Sequence, residues 1–158
     1  MQRFCLWATL WLLLACPALW SGADPDLTRA EEAAHTFMTA VQHKNLDDLQ
    51  ACVDVPWFHD GKVIIHDKKD LAREFDHLFQ KRMGPANSMR FQLIKTVRYA
   101  AVVEKVDPEE RKLAEQVITP RDFLCLVQIQ HAETQERETV AVFIRQRDGQ
   151  TKIVGLKN

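Results

Sequence analysis

Trp57, Phe58, His59 and Asp60 stand together in the sequence and put aromatic surface beside two titratable groups. A carboxylate held against an aromatic wall resists ionisation, so its pKa rises and it can act as a general base. The competing reading is plainer. Gly61 follows, and His59-Asp60-Gly61 has the composition of an ordinary Asp-Gly turn with an exposed histidine. Other chemistries are less well provided for. Of the six histidines, His35, His43, His59, His66, His77 and His131, no two stand three or four residues apart, and His-Glu-x-x-His is absent. The spacing that sets two imidazoles on one helix face for a metal is therefore missing, and no metal is expected. His77 lies between Phe75 and Leu78 on a helical pattern and reads as solvent-facing. The five glycines are isolated, so no loop can cradle a phosphate, and no nucleotide or other cofactor is expected. Ser21 and Ser88, the only serines, sit in no nucleophile elbow.

Charge and leader narrow the setting. Met1-Gln2-Arg3 is a short basic start, and an uncharged run from Phe4 to Cys16 follows, too short to span a bilayer. Ser21-Gly22-Ala23 then supplies small residues where a signal peptidase cuts, ahead of Asp24-Pro25-Asp26. Residues 1–23 are expected to be a signal peptide cleaved after Ala23, and 24–158 a single exported domain, periplasmic or secreted. A rival reading takes Leu13-Leu14-Ala15-Cys16 as a lipobox that would lipidate Cys16 and anchor the protein to a membrane; Leu14 is bulky for that box and Pro17 follows awkwardly. A third leaves the run as an uncleaved apolar helix, against which the small residues and Pro17 argue. The domain carries 22 acidic residues and 20 of the 21 basic ones, Arg3 lying in the leader, so its formal charge is 20 minus 22, or −2. No basic stripe marks a nucleic-acid partner. Cys52 and Cys125 remain beyond the leader, each among apolar neighbours that raise a thiol pKa and argue against a nucleophile. Export permits one disulfide between them, but two buried free thiols fit their surroundings better.

The elements that must position these residues follow from spacing. Thr28-Arg29-Ala30-Glu31 is a capping box, and Ala30, Ala34, Phe37, Met38 and Val41 recur at helical period to about His43. A short helix capped by Asn45 runs through Leu49 and Cys52, with Pro56 expected to stop it. A strand or hairpin turns at Asp60-Gly61, and a third helix, capped at Asp67, buries Leu71, Phe75, Leu78, Phe79 and Met83 before Gly84-Pro85. From Met89 the period becomes two, with Phe91, Leu93, Val97 and Tyr99 on one side and Arg90, Gln92, Thr96 and Arg98 on the other. Asp107-Pro108-Glu109-Glu110 starts a polar helical excursion to Gln116. Strands follow near Asp122 to His131 and Glu138 to Arg147, and Asp148-Gly149 turns the chain into a last strand. The expected class is α+β, amino-terminal helices packed on a curved antiparallel sheet.

This order, with the stretch from Phe37 to Leu49 and the ending Gly149 to Leu156, resembles the nuclear transport factor 2-like superfamily, which includes SnoaL-like cyclases and ketosteroid isomerase. The resemblance covers essentially the whole chain beyond the leader and rests on topology and soft patterns. It implies a cone-shaped, cystatin-like α+β barrel with a pocket between helices and sheet. It places Trp57, Phe58 and Tyr99 at the pocket rim, with Arg98 as the alternative to Tyr99 because adjacent strand residues face opposite ways, and it sets Asp60 at or beside the position of the isomerase's general base. The isomerase's oxyanion-stabilising Tyr would correspond to Phe37, which cannot donate a hydrogen bond, so half of that mechanism is missing. Three functions are expected in order. The first is non-enzymatic binding of a small apolar ligand or a protein partner; the second is an isomerase, cyclase or dehydratase using Asp60 or His59 as base; the third is a module that homodimerises through its sheet.

Overall fold

The structure, a computed structural model, describes residues 24–81 and 83–158; residues 1–23, with the expected cleavage site and Cys16, lie outside the described residues. Helix α1 (Pro25–His43) starts a turn earlier than the Thr28 capping box suggests. The Asp24 side chain accepts from the Asp26 N–H at 3.0 Å, and Pro25 supplies the pre-set first turn, so Thr28 already lies inside the helix. Lys44, left-handed at φ 54°, ends it. Helix α2 (Leu46–Cys52) is capped by Asn45, whose side chain accepts from the Asp47 and Asp48 N–H groups.

Pro56 does not end α2. The helix stops at Cys52, and Pro56 lies within strand β1 (Val53–His59). Between Val53 and Phe58 the ladder to its neighbour is irregular, which is where a residue without an N–H is tolerated. Strand β1 turns back on β2 (Val63–Ile65) through Asp60 and Gly61, both at positive φ, a geometry that Asp-Gly favours. Helix α3 (Lys68–Lys81) follows, with Asp67 accepting from the Lys69 and Asp70 N–H groups. Then come β3 (Met89–Arg98), two short 3-10 turns, α4 (Pro108–Ala114), β4 (Phe123–His131), β5 (Arg137–Arg147) and β6 (Gln150–Lys157).

The six strands form one curved sheet in the order β2-β1-β6-β5-β4-β3. Two expectations need correction. The sheet is mixed, because β6 pairs parallel with β1 while every other pair is antiparallel. The chain between β1 and β6 supplies the long crossover that a parallel pair requires. Nor is the sheet a closed barrel: β2 and β3 remain as edges.

Each face of the sheet has its own core. On the inner face α1, α2 and α3 bury Phe37, Leu49, Trp57, Phe75, Val127, Ile144 and Ile153. Phe37, Trp57 and Phe75 meet edge-on or tilted with centroids 5.3 to 6.3 Å apart, filling the middle of the cone. On the outer face the excursion 99–122 lies across the strands as a strap, burying Tyr99, Ala114, Val117 and Ile118 against Phe58, Leu124, Phe143 and Val154. Asp122, 2% exposed, fastens the strap. Its carboxylate accepts from the Thr119 N–H at 2.7 Å, the Thr119 hydroxyl at 3.0 Å and the Gln146 N–H of β5 at 2.9 Å.

Candidate ligand pocket

Along β4 the inner face carries Phe123, Cys125, Val127 and Ile129, and the two-residue period continues it to His131. Glu138 pairs across the ladder with Ile129 and Val140 with Val127, so both point the same way on β5. The sheet outruns the helices here. A pocket of about 490 Å³ opens between the ends of α1 and α3 and the ends of β4, β5 and β6. Val41, Leu78 and Met83 contribute its helical side, Met89, Ile129, Val140 and Leu156 its strand side, and Glu133, Thr134, Glu136 and Glu138 its rim. The volume falls in the range of small-molecule sites.

Its walls are tied from several directions. Lys44 Nζ donates to the carbonyls of Phe79 at 2.7 Å and Met83 at 3.3 Å, meeting the carbonyls that a helix end leaves free. Gln42 Nε2 donates to the Met89 carbonyl at 2.9 Å, its own carbonyl accepts from the Asn87 N–H at 2.9 Å, and the Ser88 carbonyl accepts from the Ala132 N–H at 2.7 Å. On the rim His131 Nε2 lies 3.1 Å from Glu138 Oε1, a diagonal pair across β4 and β5 that orients the imidazole. Ser88 also lines the pocket, but no hydrogen bond joins it to His131 among the described residues, so the two form no nucleophile and base pair.

The residues singled out from the sequence do not converge here. Trp57 is 1% exposed and belongs to the aromatic core. Phe58, its neighbour, points to the opposite face and meets Phe143 edge-on at 4.9 Å above Gly155. A Cβ on Gly155 would stand 2.8 Å from both the Phe58 Cβ and its carbonyl oxygen. Tyr99 also lies on the outer face, completely buried beneath the strap, with its hydroxyl unpartnered. A bulge decides this: Leu93 pairs with Val127 but Lys95 with Leu126, so Ile94 is extra and every residue after it changes side. Thr96 and Arg98 thereby turn inward, Arg98 stacking its guanidinium 4.7 Å above the Phe123 ring and pairing with Asp24. Phe58 and Tyr99 are core residues of the outer layer, and neither they nor Trp57 forms a rim.

His59 and Asp60 separate as well. His59 lines a separate cleft of about 420 Å³ with Arg73, Glu74, His77 and Leu78. Asp60 stands at the tip of the β1–β2 turn, 43% exposed, 3.0 Å from Lys62. The hydrogen bond from Lys62 holds its carboxyl below the usual carboxylate range, the reverse of what a general base in an aromatic pocket needs. Cys52 and Cys125 are free, and burial pushes both thiols up. No cluster of three or more His, Cys, Asp or Glu is placed to hold a metal ion, and no helix is long and apolar enough to cross a membrane, among the described residues. His131 and Glu138, which sequence reasoning passed over, carried one usable signal: each stands two residues from a buried apolar position on its strand.

Helices laid in one face of a curved, open sheet, with a pocket where the sheet outruns them, define a cystatin-like α+β fold. No known family's sequence profile matches the chain, and no curated protein matches it by sequence. Solved structures do match. A protein of unknown function with a cystatin-like fold from Nostoc punctiforme PCC 73102 superposes with a TM-score of 0.56, at 13% identity, over 85% of this chain and 90% of that one. A nuclear transport factor 2-like protein of unknown function from Pseudomonas putida KT2440 gives 0.55 at 14% identity, over 85% and 86%. A ketosteroid isomerase-like protein from Erwinia carotovora atroseptica SCRI1043 gives 0.51 at 14% identity, over 85% and 95%. The fold is nuclear transport factor 2-like.

Proposed function

We propose that this chain is an exported, non-enzymatic binding module that takes a small, largely apolar molecule into the pocket where its sheet outruns its helices. The observation that carries the reading is the pocket itself: about 490 Å³, with apolar side chains from both layers beneath a polar rim. Catalysis at the β1–β2 turn has less behind it, since Asp60 faces solvent beside Lys62 and Phe37 supplies no hydrogen-bond donor. Dimerisation through the sheet is also less favoured, because the chain's own strap already covers much of the outer face's apolar surface.

The test is titration with N-phenyl-1-naphthylamine, a neutral dye that brightens in apolar surroundings. Saturable one-to-one binding is expected, and it should be lost in Leu78→Trp and in Met83→Trp, which fill the pocket from the helical side. Unsaturable brightening, or brightening that both variants leave intact, would remove the pocket as the binding site. Export is checked by the amino terminus of the secreted protein, expected at Asp24; a lipidated Cys16 would replace secretion with membrane anchoring.

A further inference from the structure

From the charge around the pocket we infer that its ligand is an organic cation with an apolar tail, such as an alkylated amine. The inference rests on the binding reading above and adds the chemistry of the head group. Three carboxylates, Glu133, Glu136 and Glu138, stand on the rim of a pocket whose floor is apolar, and among the described residues no Lys or Arg lines it. The single basic ring there, His131, pairs with Glu138 at 3.1 Å, and Lys44 is spent on the carbonyls of Phe79 and Met83. Among the described residues Glu133 makes no ion pair, and the Glu136 carboxylate meets only the Thr134 hydroxyl, at 3.4 Å.

An anionic head would therefore lie against three like charges, with no Lys or Arg among the described residues lining the pocket beside it. A neutral head would gain hydrogen bonds from them but no charge pairing. A cationic head would complement them while its tail covered Leu78, Met83, Met89 and Leu156. The two methionines suit tails of more than one shape, because an unbranched thioether side chain adapts its rotamers to what it meets.

Calorimetric titration of the protein with decyltrimethylammonium, decyl glucoside and decyl sulfate, each below its micellar concentration, separates head from tail. The cation is expected to bind tightest and the sulfate weakest. The double variant Glu133→Gln, Glu136→Gln should weaken the cation about fivefold, the effect of two solvent-exposed ion pairs, and leave the glucoside unchanged. Both positions are exposed, so the variant is expected to fold, which circular dichroism checks. Equal binding of all three heads, unaffected by the double variant but lost in Leu78→Trp, would overturn the cation and leave the pocket reading standing. Absence of binding by all three, or binding that survives both Leu78→Trp and Met83→Trp, would overturn the pocket reading and this inference with it.

Discussion

Asp122→Ala should loosen the strap from the sheet. The Asp122 carboxylate is the acceptor for three donors: one oxygen takes the Gln146 N–H of β5, the other takes the Thr119 N–H and hydroxyl. Hydrogen bonds to a charged acceptor contribute about 1.5 to 3 kcal/mol each when buried. Thr119 is exposed and its freed groups can meet water, whereas Gln146 is partly buried within β5. Discounting the Thr119 pair for rehydration leaves a loss of about 3 to 4 kcal/mol, a large part of the stability of a domain this size. The informative companion is Asp122→Asn. It keeps size and one oxygen, but its amide NH₂ must face either Gln146 N–H or the Thr119 donors, so a donor meets a donor and the loss should approach that of alanine. Urea melts give both values, and amide exchange at Ala114, Val117 and Ile118 should accelerate beyond that of Ile144 and Ile153. A loss under about 1 kcal/mol in both variants, or exchange that accelerates evenly, would refute the view that Asp122 fastens the strap.

Phe75→Ala removes the ring that meets both Phe37 and Trp57, so it should cost about 3 to 5 kcal/mol in urea melts and shift Trp57 emission to the red as water enters. Gly155→Ala should cost about 1 to 3 kcal/mol, because the new methyl meets the Phe58 carbonyl oxygen, which cannot rotate away. Acid should weaken the tie between α1 and β3: the Arg98 hydrogen bond and the Asp26 N–H lower the pKa of Asp24, so its contribution is complete above the ordinary carboxylate pKa and is lost as pH falls through the lowered one. Urea midpoints followed from pH 6 to pH 2 should therefore fall less steeply in Arg98→Ala than in the parent; parallel curves would show that the tie contributes nothing.

Much of the scaffold was legible along the chain, because helix and strand signals are local. The Asn45 and Asp67 caps, the Asp-Gly turns at 60–61 and 148–149 and the apolar face through Leu71, Phe75 and Phe79 all act over a few residues, and all appear in the fold. The α+β class followed from their order. What the tertiary structure decided depends on partners distant in sequence. Ile94 carries no bulge signal of its own; it is extra only because β4 sets the register, and that one residue moves Tyr99 from the expected pocket to the opposite face. Trp57 and Phe58 are adjacent and aromatic, but a strand sends neighbours to opposite sides, so one fills the inner core and the other the outer. The pocket could not be read locally at all. It exists where β4 and β5 extend beyond the ends of α1 and α3, and those lengths acquire meaning only when the two layers are packed together.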